Sequence, residues 1–194
     1  MLHYTAMANA GAAQVRLCDP ASEVSSHYLI SRTGDVTRLV PEDLRAWHAG
    51  AGQWGGRGDV NSRSIGIELD NDGASPFAEP QMQALEDLIS AIMARWNIPA
   101  EGIIGHSDMA PERKSDPGPR FDWARLARAG LAQAAGNAEY AGQVSEQEFR
   151  RIAGAVGYPS DVEFADLLRA VRLRFRPWAR GDLCRRDFGV LLPG

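Results

Sequence analysis

Between residues 64 and 105 the hydrophobic period changes twice, and this limits the possible folds more than any other feature of the chain. "SIGIELD" alternates: Ile65, Ile67 and Leu69 take one face and leave Gly66, Glu68 and Asp70 on the other, as a strand requires. From Pro80 to Trp96 the period is helical. Met82, Leu85, Leu88, Ile89, Ile92, Met93 and Trp96 form one apolar stripe, and Pro99 ends it. "EGIIGH" then reads as a short buried strand whose end carries His106. Upstream, "MLHYT" is β-prone and "NAGAAQVRLCD" predicts a short helix through Ala13, Val15 and Leu17. "SHYLISRTGDVTRLV" predicts a hairpin turning at Thr33-Gly34-Asp35, and "FDWARLARAGL" a brief helix. This alternation through about residue 130 predicts a mixed α/β domain.

Residues 131–143, "LAQAAGNAEYAGQ", are small and polar and read as a linker. Beyond it Ser145–Glu148 and Ser160–Glu163 have capping-box spacing, each opening a helical run. The second run carries Phe164, Leu167, Leu168, Val171 and Phe175 as its stripe, and "RGDLCRRDFGVLL" predicts a third helix. Residues 144–194 are thus a small three-helix module, marginal alone and expected to pack on the first domain. Cys18 and Cys184 fall in different parts of the chain, so two buried free thiols are expected rather than a disulfide.

Composition narrows the function. A net charge of -4 gives no basic surface for nucleic acid. No apolar run approaches the ~20 residues of a membrane span, and the first residues lack the basic start and apolar stretch of a secretory signal. As given, the chain reads as cytoplasmic. Only Met1 and Leu2 precede His3, so an incomplete first strand is expected to leave His3 loosely held. A start further upstream, with a periplasmic or envelope location, is the companion expectation.

"GHSDMAPERKSDPGP" places His106 and Asp116 ten residues apart around a proline-stiffened loop. With His3 they would supply two imidazoles and a carboxylate, leaving a fourth tetrahedral position open, as catalytic zinc sites do. Packed histidines fit the same pattern. Glu68, beside glycine on the polar face of its strand, suits a proton acceptor or a plain exposed carboxylate. Lys114 suits an oxyanion stabiliser or a solvated surface lysine. "AWHAGAGQWGGRGDVN" brings Trp47, His48, Trp54 and Asn61 onto a glycine-rich stretch that suits either a groove or core anchors.

Taken in order, "LHYTA", "VSSHYLI", "AWHAG", "SIGIELDN", "GHSDMAPERKSDPGP" and "FDWARLA" resemble the zinc-dependent type 2 N-acetylmuramoyl-L-alanine amidases, AmiD- and AmpD-like enzymes above all. That family is related in fold to bacteriophage T7 lysozyme and the peptidoglycan recognition proteins. The resemblance covers residues 2 to about 130. It implies a mixed central sheet flanked by helices, with zinc held by His3, His106 and Asp116. It also implies Glu68 as catalytic acid/base, Lys114 as transition-state stabiliser and His48 in the substrate groove; Trp54 and Asn61 are expected to bind substrate as well. The implied substrate is peptidoglycan or a muropeptide, cut between N-acetylmuramic acid and L-alanine. "AVRLRFRPWARGD" resembles, less closely, the three-helix peptidoglycan-binding module of AmiD-like enzymes. Two other readings remain: a muropeptide-binding protein without activity, and a purely structural zinc. The first is expected to have lost a zinc ligand, and the second to be rich in cysteine.

Overall fold

The computed structural model describes residues 1–192. Four short strands make one mixed sheet: β1 (Leu2–Tyr4), β2 (Tyr28–Ile30), β3 (Val36–Arg38) and β4 (Ile67–Leu69), in the order β1-β4-β2-β3. β4 runs parallel to both β1 and β2, and β2 and β3 form the antiparallel hairpin expected around Gly34. Gly34 has φ +90°, and a Cβ there would stand 2.7 Å from the Pro80 carbonyl oxygen, so the turn needs glycine.

The helical stripe forms α2 (Glu79–Trp96), starting one residue before the expected Pro80. Met82, Leu85, Ile89 and Ile92 are buried against Leu2, Ile30, Ile67 and Leu69 on one face of the sheet. Truncating one such side chain, Leu85→Ala for instance, typically costs 2–5 kcal/mol. The opposite face carries the row His3, Glu68 and Leu29, which are register partners across β1, β4 and β2. α1 (Ala10–Cys18) lies at that face with Ala13 buried, whereas Val15, expected in its stripe, is 72% exposed.

Three expectations are corrected. "EGIIGH" is not a regular strand: Ala100–Gly102 is a 3₁₀ turn, and only a single Leu2–Gly105 bridge joins the following segment to β1. The strand is cut short because His106 already opens the helical turn α3 (His106–Met109), with Gly105 as its cap. The Ser160–Glu163 capping box does not form; Glu163 precedes α6 (Phe164–Phe175) without a side-chain cap bond. Instead the Ser160 and Val162 carbonyls accept Arg150 Nη1. His3 is firmly held rather than loose. Leu2 N–H donates to the Ile104 carbonyl, Ile67 N–H donates to the Met1 carbonyl, and His3 is 2% exposed.

α4 (Trp123–Arg128) forms as expected. So do α5 (Glu146–Val156), with Ser145 Oγ accepting the Glu148 N–H, and α7 (Arg185–Gly189). α5, α6 and α7 share a separate apolar cluster around Phe149, Leu167, Val171 and Phe188. Tyr140, from the stretch read as a linker, belongs to that cluster and stacks on Phe188 at 4.2 Å. The cysteines are free, as expected, but neither is buried: Cys18 is exposed and Cys184 intermediate. No helix among the described residues is long and apolar enough to cross a membrane.

Candidate metal centre

Three segments converge on the sheet face opposite α2. β1 brings His3, α3 begins at His106, and the proline-rich loop returns Asp116. His3 Nδ1 lies 3.0 Å from His106 Nδ1 and 2.9 Å from Asp116 Oδ2, and His106 Nδ1 lies 3.1 Å from the same oxygen. The loop is tied down where it matters. Ser107 N–H donates to the Asp116 carbonyl, and Lys114 N–H donates to the Ala110 carbonyl.

The outer nitrogens of the two imidazoles define what the inner ones can do. His106 Nε2 is 2.8 Å from the Ala49 carbonyl, which can only accept, so the proton sits on Nε2 and Nδ1 carries a lone pair. Ser64 Oγ donates to the Val60 carbonyl and therefore accepts from His48 Nε2. His48 Nδ1 is then free to accept the His3 Nε2 proton at 3.0 Å. This leaves His3 Nδ1, His106 Nδ1 and Asp116 Oδ2 as three acceptors facing one point. Acceptors so placed repel one another unless a cation or proton lies between them. The ligand atoms lie within 4.8 Å of one another and all three residues are buried. Two imidazoles and one carboxylate are the donor set of a catalytic zinc site with one open position. The residues fit the metal.

Electrostatics agree with that fit. Burial pushes the His3 imidazole down to about 4, outweighing its hydrogen bond to Asp116, so it is neutral at pH 7 as a ligand must be. Burial raises the Asp116 carboxyl, but the His106 and His3 hydrogen bonds outweigh it and hold Asp116 well below the ordinary range. Burial, then the Asp116 charge, pushes Glu68 up to about 8, partly offset by Lys114. Glu68 Oε2 is buried without a hydrogen-bond partner. Such an orphan is rare enough to need a reason.

A cavity of about 430 Å³ opens over this cluster, and its lining includes His3, His48, Glu68, His106, Lys114 and Asp116. Trp47, 55% exposed, also lines it. Of the residues expected in the groove, His48 lines the cavity but is 8% exposed and hydrogen-bonded to His3. Gly66 makes room for it: a Cβ on Gly66 would meet His48 Cγ at 2.5 Å. Trp54 is not at the site. It packs edge-on against Tyr158 at 5.1 Å, where the C-terminal helices meet the sheet domain, because its loop bonds to Gly157. Asn61 is not at the site either: its Oδ1 accepts the His48 and Ala49 N–H groups and so holds the backbone that carries His48. These supporting contacts leave no local pattern in the sequence, because each joins residues from separate segments of the chain.

A larger cavity, about 490 Å³, lies on the other face of the sheet among Leu2, Ile65, Ile67, Ile89 and Ile92. Its lining holds no carboxylate or imidazole, so it offers none of the chemistry found at the smaller one.

Residues 1–119 match the Amidase_2 family, N-acetylmuramoyl-L-alanine amidase. The chain is 46% identical over 103 residues to the 1,6-anhydro-N-acetylmuramyl-L-alanine amidase AmpD of Enterobacter cloacae, covering 53% of this chain and 55% of that protein. It is 40% identical over 147 residues to the N-acetylmuramoyl-L-alanine amidase AmiD of Escherichia coli, covering 68% of this chain and 52% of that protein. The chain thus spans about half the length of these relatives. In structure it is similar to E. coli AmiD in complex with the substrate anhydro-N-acetylmuramic acid-L-Ala-D-gamma-Glu-L-Lys. The TM-score is 0.86 at 31% identity, covering 98% of this chain and 84% of that one. The similarity to AmpDh3 from Pseudomonas aeruginosa has a TM-score of 0.87 at 31% identity, covering 98% and 87%. With the match over residues 1–119 and the fold shared with AmiD and AmpDh3, the chain belongs to the N-acetylmuramoyl-L-alanine amidase family.

Proposed function

We propose that this protein hydrolyses the amide bond between the lactyl group of N-acetylmuramic acid and L-alanine in peptidoglycan or muropeptides, using zinc held by His3, His106 and Asp116. The observation that carries the reading is the meeting of three lone-pair donors beside an unpartnered buried carboxylate, Glu68. The chemistry zinc supplies in such a site is a water acidified toward a pKa of ~7 and a polarised carbonyl.

The chain's own residues supply the rest. His48 and the Ala49 carbonyl hold the His3 and His106 rings with Nδ1 inward. Glu68, which a cation bound beside it would hold ionised against its raised metal-free pKa, accepts the proton of the attacking water through Oε2, an oxygen that no other group among the described residues engages. It returns the proton to the amide nitrogen as the C–N bond breaks, releasing a peptide that begins with L-alanine. The Lys114 ammonium faces the same cavity and stabilises the charge that develops on the carbonyl oxygen. Trp47 on the rim offers an apolar face to the sugar or peptide.

The proposal divides the chain into a catalytic part, 1–130, a connector, 131–143, and a helical module, 144–194. The separate apolar cluster of α5–α7 supports that division, though Tyr140 ties the connector into the module. The test is direct. Zinc-loaded protein is incubated with a 1,6-anhydro-muropeptide and, separately, with purified sacculi, and products are read by mass spectrometry against a chelated control. A free peptide beginning with L-alanine, absent from the control, is the expected result. Binding of the muropeptide without cleavage in the zinc-loaded protein would replace the amidase with a recognition protein.

A further inference from the structure

Arg174 and Asp108 form a fully buried ion pair between α6 and α3, with side chains 2% and 1% exposed. A buried pair is poor evidence for stability, because desolvating both charges offsets most of their attraction. What this one touches is more informative. Arg174 Nη1 donates to Asp108 Oδ2 at 2.8 Å, and Arg174 Nη2 donates to the Ile103 carbonyl at 3.0 Å. The same Asp108 Oδ2 accepts the Gly105 N–H at 2.8 Å, capping the turn that opens with His106. Asp108 Oδ1 accepts the Tyr158 hydroxyl at 2.9 Å. The Arg174 guanidinium lies 4.1 Å from the centre of the Trp123 ring, which fixes its plane.

Every polar contact of this cluster therefore falls on residues 103–108. That segment carries His106, and through Leu2 it holds β1, which carries His3. Arg174 lies on α6, and Tyr158 follows the end of α5. We propose that Arg174 and Tyr158 are positioning residues of the metal centre, acting through Asp108, so that the C-terminal helices complete the zinc site rather than only decorating the catalytic part. This inference rests on the zinc reading above.

The physical argument is one of preorganisation. His106 begins a four-residue turn, too short to hold itself. Its side-chain cap is Asp108, and the aim of that buried carboxylate is fixed by the hydrogen bonds from Arg174 and Tyr158. Loss of such outer support typically lowers metal affinity 10–100-fold.

The experiment measures zinc affinity by chelator competition on the full chain, for the parent, Arg174→Met and Tyr158→Phe. Arg172→Met serves as control. Arg172 also makes an ion pair from α6, half-buried, with the buried Asp187, but touches nothing in residues 103–108. Arg174→Met is expected to weaken zinc binding about 10–100-fold and Tyr158→Phe by a smaller factor, while Arg172→Met destabilises the helices and leaves zinc affinity at the parent value. Should Arg174→Met fail to fold, Tyr158→Phe, which keeps the ring, decides alone: parent-like zinc affinity there overturns the proposal. Equal losses in the Arg172 and Arg174 variants would also overturn it, by showing general destabilisation. A parent that binds no zinc refutes the zinc reading itself, and this inference with it.

Discussion

Glu68 and His3 are register partners on adjacent parallel strands, so β4 and β1 present the unpartnered carboxyl and the inward-facing imidazole side by side on one face of the sheet. Their spacing is set by backbone pairing, which neither side chain can alter without breaking the ladder.

Glu68→Gln keeps the shape and removes the proton acceptor. The variant is expected to fold, to hold zinc as the parent does and to lose about 10²–10⁴ in kcat. Zinc content and turnover measured on one sample check this, and a zinc-replete variant at normal rate would remove Glu68 from the mechanism.

Lys114→Ala is expected to fold and retain zinc while losing about 10²–10³ in kcat, the usual effect of deleting one oxyanion stabiliser. The loss should fall on kcat more than on KM, because the interaction strengthens as charge develops. Steady-state kinetics with a muropeptide decide it; near-native turnover sinks the assignment.

His48 orients His3, and Gly66 gives His48 its room. His48→Phe leaves the His3 Nε2 proton without an acceptor, and Gly66→Ala drives a methyl group into the His48 ring. Both are expected to weaken zinc binding about 10–100-fold with Asp116 and His106 intact. Parent-like affinity in both would confine His48 to lining the cavity.

The raised pKa of Glu68, about 8, has a consequence for the metal-free protein. The folded state holds a proton there that the unfolded chain releases near its ordinary value. The contribution is therefore fully present below about pH 4.5 and is lost as pH rises toward about 8. Relative to Glu68→Gln, chelated parent protein is expected to lose stability across that window, while both share the opposing gain from the Met1 amine, His3 and His48, whose pKa values burial lowers. Urea unfolding at several pH values measures both; superimposable profiles would contradict the raised pKa.

Much of the architecture was legible from local pattern. The period-two run at 65–69 became β4, the stripe at 82–96 became α2, and the turn at Gly34 became the β2–β3 hairpin. The structure departs from local pattern where a competing contact overrides it. The "EGIIGH" run gave way to the turn that opens at His106, and the Ser160 cap gave way to Arg150, which takes the carbonyls around it. Aromatic residues on a glycine-rich loop suit a groove, yet Trp54 takes its packing surface from Tyr158, 104 positions on.

Local sequence carries most of the strands and helices, the family motifs, and the residue types that could make a zinc site. Periodicity, caps and turns depend on near neighbours, and the motifs lie within short segments. How those residues work together is set across the fold. Parallel pairing puts His3 beside Glu68, a buried hydrogen-bond chain turns both Nδ1 atoms inward, and Arg174 reaches from the C-terminal helices to the cap of His106. Each of these relations joins residues dozens of positions apart, and a residue's own neighbours in the chain carry no record of the partner it meets across the fold.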